Sequence, residues 1–315
     1  MRKTYAMILT VTLNVALDKY YYVPNFLPGN VNRVAKMIPT AGGKGLNVAR
    51  VARTLGAPVK ATGIIGGRTG DLVCDLLSDE GIEAEFLKAP IESRTCINII
   101  DAAGESTEVL EAGDEIGEET VSLFFDHFTR LVHEADVVTL SGSALQGMPD
   151  DIYAELTAIA REAGKPTVLD TSGEKLLRGI EAAPTVIKPN RQEIEQIMGV
   201  EDAAADDLID HCTAYVEAGV RYVVVSLGDE GALLMTRDGA WQGRPPGLEV
   251  VNTVGSGDAM VAALAVGLRS GDGPEEFLRQ GIAVSAANTL TESTGHVRLE
   301  DVEKIRGRVQ ITPLR

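Results

Sequence analysis

The feature that most constrains this chain is an alternation. Short runs rich in Val and Ile recur between turn residues: "MILTVTL" (7–13), "ATGIIGG" (61–67), "DVVTLSGS" (136–143), "PTVLDTSG" (166–173), "TVIKPN" (185–190) and "YVVVSLG" (222–228). Between them lie stretches of helical periodicity, among them "GLNVARVARTLG", "GDLVCDLLSDEG", "DDIYAELTAIAREAG" and "DDLIDHCTAYVEAG", each closed by glycine. Glycine at such a position is a common helix terminator. Strand and helix in turn predict right-handed βαβ units around a mostly parallel sheet. The central runs lack polar alternation, as strands covered by helices on both faces should. The chain is therefore predicted to be α/β over residues 1–315, a single domain flanked by helices. Its 44% hydrophobic content, with only 4% aromatics, suits a core of tightly packed small aliphatics.

Two regions break the alternation. Residues 14–40 and 95–110 carry Thr, Tyr, Asn and charges instead of helical periodicity, and read as β segments with turns. They are expected to form a small separate sheet that either closes over a cleft or pairs with another subunit.

The charge balance narrows the partners. Forty-six acidic against 29 basic residues leave a net charge of −17, and no basic run is present. Nucleic acid and anionic membrane surfaces are not expected partners. An anionic ligand would need local cations, backbone amides or a metal. Three scattered cysteines without metal spacing point to a reducing cytosol. The opening "MRKTYAMILTVTLNVAL" has the look of a signal peptide. Thr10, Thr12 and Asn14 interrupt its apolar run, and it reads better as a first strand.

In open α/β sheets ligands bind beyond the carboxyl ends of the strands. Here those ends read "SGS", "DTSG", "KPN" and "SLG". The phrase "NTVGSGD" adds Gly255, Ser256 and Gly257 at the start of a long small-residue helix. Amides there could form an anion hole, and the competing reading is a glycine turn capped by Asp258. "GGKGLN" opens another helix and offers Lys44 and Asn47, but lacks the spacing of a Walker A loop. In "KPNRQE", Asn190 and Glu193 are three apart at a helix start. They could organise Mg²⁺ through water, or simply form a capping box. "SLGDEGA" is a nucleotide-site turn or a plain hairpin. Asp18 and Arg94 fall in the β-rich regions, where either could be a surface charge. The four histidines form no metal motif, and a Gly-x-Ser-x-Gly elbow is missing.

Taken in order, "TLNVALD", "AGGKGLNVA", "RTCIN", "SGS", "VIKPNRQE", "SLGDEGA" and "NTVGSGDAMVA" resemble the ribokinase-like (PfkB) carbohydrate kinases. Within that family the chain is most similar to the branch of 1-phosphofructokinase and tagatose-6-phosphate kinase, the latter above all. The resemblance implies roles. Asp258 would be the catalytic base, and Gly255, Ser256 and Gly257 the anion hole for the transferring phosphoryl group. Lys188 would touch ATP phosphates, with Ser226, Gly228, Gly231 and Asn288 at the nucleotide site. Asn190 and Glu193 would organise Mg²⁺. Asp18, Gly43, Lys44 and Asn47 would grip the sugar, and Lys44 with Arg94 would favour one that already carries phosphate. The β regions would be a lid and a homodimer contact. Ser256 in place of Ala and Val15 in place of Pro depart from the commonest family pattern without removing a charged group.

The expected activity is ATP- and Mg²⁺-dependent phosphorylation of D-tagatose 6-phosphate, with D-fructose 1-phosphate as the alternative acceptor. A non-catalytic nucleotide- or sugar-binding regulator is the rival from another class. A dinucleotide dehydrogenase would need Gly-x-Gly-x-x-Gly after the first strand, where "TLNVALD" stands instead.

Overall fold

The computed structural model describes residues 7–315. The chain opens with β1 (Ile8–Thr12), then leaves the main body for β2 (Ala16–Tyr22) and β3 (Lys36–Gly42). It returns through α1 (Lys44–Thr54), β4 (Val59–Ile65), α2 (Gly67–Asp79) and the two-residue strands β5 (Glu83–Ala84) and β6 (Leu87–Lys88). A second excursion makes β7 (Arg94–Ile100) and β8 (Ser106–Leu110). The predicted alternation follows: α3 (Glu118–Val132), β9 (Val137–Ser141), α4 (Ile152–Glu162), β10 (Thr167–Asp170), α5 (Gly173–Glu181), β11 (Val186–Ile187), α6 (Arg191–Met198), α7 (Ala205–Glu217) and β12 (Tyr222–Ser226). The chain ends with β13 (Ala232–Thr236), β14 (Gly239–Arg244), α8 (Ser256–Ser270), α9 (Pro274–Asn288), α10 (Leu299–Arg306) and β15 (Gln310–Pro313).

The main sheet runs β15-β14-β13-β12-β11-β10-β9-β1-β4-β5, with β6 also on β4. From β5 to β12 every pairing is parallel. The other end is an antiparallel meander of β12, β13, β14 and β15 that the helical periodicity does not announce. The hairpin between β13 and β14 turns on Arg237 and Asp238, and the register pairs Thr236 with Gly239.

Successive strand residues point to opposite faces, and both faces are buried. Val137, Val168, Val186 and Val224 pack with α1, α8 and α9 in one core. Their neighbours Val138, Leu169, Ile187 and Val225 pack with α3, α4 and α7 in the other. This double burial explains why the strands read as continuous apolar runs.

The two β-rich excursions form a separate four-stranded sheet, β3-β2-β7-β8. Its register lines up two cross-strand rows: Asp18, Cys96 and Leu110, then Tyr20, Asn98 and Glu108. All six residues border the same cavity, so one face of this sheet looks onto the strand ends of the main body.

Candidate active site

The last residue of β10, Asp170, is 1% exposed and lies between two lysines. Lys44, the first residue of α1, brings Nζ to 3.3 Å from Oδ2. Lys188, just after β11, brings Nζ to 3.2 Å from Oδ1. The second contact is electrostatic, since Oδ1 lies off the hydrogen-bond direction and accepts none. Burial alone would raise the Asp170 carboxyl, but Lys188 and Lys44 together hold it below the usual range. Asp170 in turn raises Lys44. Of the two lysines, Lys44 is still 44% exposed at the rim.

The start of α8 faces them. Gly255 takes a left-handed conformation, φ 82°. A Cβ there would lie 2.5 Å from Thr294 Cγ2, so only glycine makes this turn without displacing its neighbour. The helix has no side-chain cap. Among the described residues no protein group accepts from the amides of Gly257 and Asp258. First-turn amides of this kind, backed by the helix dipole, attract an anion. Asp258 is the exception to that polarity. It is 5% exposed, and its Oδ2 accepts from Asn47 Nδ2 at 2.8 Å. Burial pushes its carboxyl up to about 6, against the opposing pull of Lys44 and the hydrogen bond from Asn47. A carboxylate poised near that value can take a proton at neutral pH.

Two cavities meet at this helix start. The first, about 530 Å³, is bordered by Asp18, Gly43, Lys44, Asn47, Arg94, Lys188, Asn190, Glu193 and the turn Gly255–Asp258. The second, also about 530 Å³, is bordered by Gly231, Asp229, Pro245, Pro246, Leu248, Met260, Ile282 and Thr289. Ser226, Gly228, Ser256 and Gly257 belong to both walls. The first cavity is polar and charged. The second is a more enclosed, more apolar slot.

Asp18 enters the first cavity from the small sheet. Its packing explains one glycine of "GGKG": a Cβ on Gly42 would fall 2.2 Å from the Asp18 carboxyl. Burial raises Asp18 to about 6, with Arg94 pulling the other way. Arg94 donates to the carbonyls of Glu111 at 3.1 Å and Asn14 at 3.3 Å, while its Nε is buried without a partner.

Asn190 and Glu193 do form a complete capping box: Glu193 N donates to Asn190 Oδ1 and Asn190 N to Glu193 Oε2, each at 2.8 Å. The box leaves Glu193 Oε1 outside it, on the cavity wall. Asn288, expected at the nucleotide site, borders neither cavity. It is 1% exposed and both ends of its amide are spent on backbone: Nδ2 donates to Val254 O at 3.0 Å, and Oδ1 accepts from Gly295 N at 3.1 Å. It ties the turn before α8 to the loop at Thr294 and Gly295 and so acts as a brace.

The donor set fits Mg²⁺ only in company with phosphates. Among the described residues no group of three or more His, Cys, Asp or Glu could hold an ion alone. Mg²⁺ bound by phosphate oxygens and water needs only one or two protein carboxylates, and Glu193 borders the first cavity.

Some of the site escapes sequence reading. Asp170 was visible only as the polar strand end "DTSG". Tyr20, whose hydroxyl donates to Thr294 Oγ1 at 2.6 Å, ties the small sheet to the α8 turn. No local signal marks that contact.

A family model for pfkB family carbohydrate kinases matches residues 10–301. Among solved structures, phosphofructokinase-2 from Escherichia coli in complex with potassium superposes with a TM-score of 0.90 at 29% identity, covering 96% of this chain and 99% of that one. A protein described as a possible 1-phosphofructokinase from Thermotoga maritima gives 0.89 at 28%, covering 98% and 100%. A candidate phosphofructokinase from Staphylococcus aureus gives 0.85 at 30%, covering 98% and 99%. A charged cavity and an apolar slot that share one helix start, on this α/β frame and with this family match, lead to a single assignment: the chain belongs to the pfkB family of carbohydrate kinases.

Proposed function

We propose that this sugar-phosphate kinase transfers the γ-phosphoryl group of Mg-ATP to a primary hydroxyl of a ketohexose phosphate, with D-fructose 1-phosphate, phosphorylated at O6, as its first acceptor. The observation that carries the reading is the shared wall. Gly257, whose amide is free, stands on the wall common to both cavities, and Asp258 beside it borders the first. Sugar lies in the first cavity under the small sheet, and nucleotide in the second. The acceptor hydroxyl gives its proton to Asp258 as its oxygen bonds to phosphorus and the bond to the ADP oxygen breaks. Charge growing on the phosphoryl oxygens is met by the amides and by Lys44 and Lys188, which Asp170 keeps in place. Phosphoryl transfer is mostly positioning and electrostatics, and these groups supply both. When bound, Mg²⁺ would offset phosphate charge, with Glu193 and Asn190 organising it, through water where needed. Ser226, Gly228 and Gly231 line the nucleotide's path.

Lys44 was expected to hold the sugar's own phosphate beside Arg94. Its contact with Asp170, the carboxylate it shares with Lys188, favours a role at the transferring group instead. Arg94, with its unpartnered Nε, remains the anchor for the acceptor's phosphate. Asp18 holds sugar hydroxyls. Tagatose 6-phosphate, the acceptor first expected, has less support, because the similar structures bear phosphofructokinase names. The small sheet would act as a lid. Its exposed Leu27, Val31, Met37, Val109 and Leu110 support a homodimer through that sheet.

Steady-state assays with Mg-ATP and a panel of fructose 1-phosphate, tagatose 6-phosphate, fructose 6-phosphate and free fructose test the proposal. The expected result is the highest kcat/KM for fructose 1-phosphate. A preference for tagatose 6-phosphate would move the acceptor and keep the chemistry. Turnover of free fructose alone would remove Arg94 as an anchor.

A further inference from the structure

We infer that Arg50 is a positioning residue for the catalytic carboxylate: it holds the Asn47 amide so that its NH₂ group, and not its carbonyl oxygen, faces Asp258. The inference rests on the reading of Asp258 as the base. Asn47 and Arg50 stand three residues apart on α1 and so share a face. Both are buried, at 7% and 5% exposure. Arg50 Nη1 donates to Asn47 Oδ1 at 3.0 Å, and Asn47 Nδ2 donates to Asp258 Oδ2 at 2.8 Å. A guanidinium has no acceptor and an ionised carboxylate has no donor. Only one orientation of the amide therefore satisfies both neighbours. Turned over, it would set its oxygen against the carboxylate and its NH₂ against the cation.

The guanidinium is itself held. Nη2 donates to Ala41 O at 2.9 Å. Nε and Nη2 grip the two oxygens of Glu80, at the end of α2, at 2.8 and 3.1 Å. Such a bidentate pair restrains the plane as well as the position. From above, Gly295 closes on the amide: a Cβ there would come within 3.0 Å of Asn47 Cβ and Oδ1. The path Glu80, Arg50, Asn47, Asp258 thus runs from the surface to the base with a hydrogen bond at every step.

The charged groups facing Asp258 are Lys44 on α1, Asp170 on β10 and Lys188 after β11. Arg50 reaches it only through Asn47. Arg50 also lies within charge range of Asp18, on the sugar side, so its effect must be read where sugar binding is saturated. The test is the pH profile of kcat for wild type, Arg50→Met, Arg50→Lys and Asp258→Asn. The acceptor is the one with the highest kcat/KM among fructose 1-phosphate, tagatose 6-phosphate and fructose 6-phosphate. Arg50→Met should lower kcat roughly 10- to 100-fold, the scale of a misplaced catalytic group. It should also move the acid limb of kcat to higher pH, because a turned amide no longer stabilises the ionised carboxylate. Arg50→Lys keeps the buried charge and a donor group, and serves as the folded variant should methionine not be tolerated. It should recover part of the rate and part of the limb shift. A lower kcat with an unmoved acid limb in both variants would mean that Arg50 only supports the fold, and would overturn the inference. So would wild-type kcat in Arg50→Met while Asp258→Asn is inactive. Near-normal turnover of Asp258→Asn would instead bring down the reading of the base on which the inference stands.

Discussion

Replacing Asp258 by asparagine should make the protein less active and more stable, and the second effect should depend on pH. Folding carries this carboxyl from water to a site 5% exposed and raises it from 3.8 to about 6. Burial is the main cause; Lys44, Asn47 and Lys188 oppose it, while Asp170 adds to it. A group that binds its proton more tightly when folded contributes stability that is fully present below the unfolded value. That contribution is lost as pH rises through about 6. The difference of roughly 2 units costs about 3 kcal/mol once both states are ionised, and about half of that near pH 5. The amide is neutral throughout, and its carbonyl can still accept from Asn47 Nδ2. Its advantage over wild type should therefore be about 1.4 kcal/mol larger near pH 8 than near pH 5. For a chain of this size that is roughly 2 °C in Tm. Thermal unfolding of the unliganded proteins at the two pH values, at equal ionic strength, reads the quantity directly. Other titrating groups cancel in the comparison at each pH. In parallel, kcat should fall roughly 10²- to 10⁴-fold, the usual weight of a general base. A Tm difference equal at both pH values, or larger at the acid one, would refute the argument that burial holds Asp258 protonated beyond its ordinary range.

Three other perturbations separate the parts of the site. Arg94→Ala should raise KM for the phosphorylated acceptor by roughly 10-fold or more, the scale of a lost charged hydrogen bond, and leave KM for ATP nearly unchanged. An equal rise in both would misplace the phosphate anchor. Gly255→Ala should lower kcat and cost about 1–3 kcal/mol in denaturant unfolding, because φ is 82° and the new Cβ would meet Thr294. Wild-type stability would mean that the α8 turn accommodates a side chain. Asp170→Asn leaves Lys188 buried at 4% exposure without its counter-charge. It should destabilise the fold by about 3–5 kcal/mol, and unchanged denaturant unfolding would show that the two lysines do not depend on this carboxylate.

Much of this protein is written in short-range pattern. The βαβ frame follows from apolar runs and helical periods, since each is set by the geometry of a single strand or helix. The Asn190–Glu193 capping box and the uncapped glycine turn of α8 are equally local, and both lie within a few residues of chain. The small sheet was legible as two polar β regions, though not its cross-strand rows. Of the antiparallel end, the β12–β13 turn was offered as the hairpin reading of "SLGDEGA"; β14 and β15 escaped because they lie outside any βαβ rhythm.

What tertiary structure alone decided is which of these local pieces meet. Lys44 and Asp170 are 126 residues apart, and Asn47 and Asp258 are 211 apart. Nothing in either segment names its partner. The pairing follows from strand order: β1 sits between β4 and β9, β10 lies on the other side of β9, and β11 lies beside β10. That order brings the ends of distant strands to one rim, facing the helices α1 and α8. Asn288 shows the same limit from the other side: its type suits a ligand, yet its surroundings use both ends of the amide on backbone. Local sequence determines the conformation of a segment, because the forces that select it act over a few residues. The sharing of a buried carboxylate by two lysines depends on through-space distance, which only the packed sheet and its helices set.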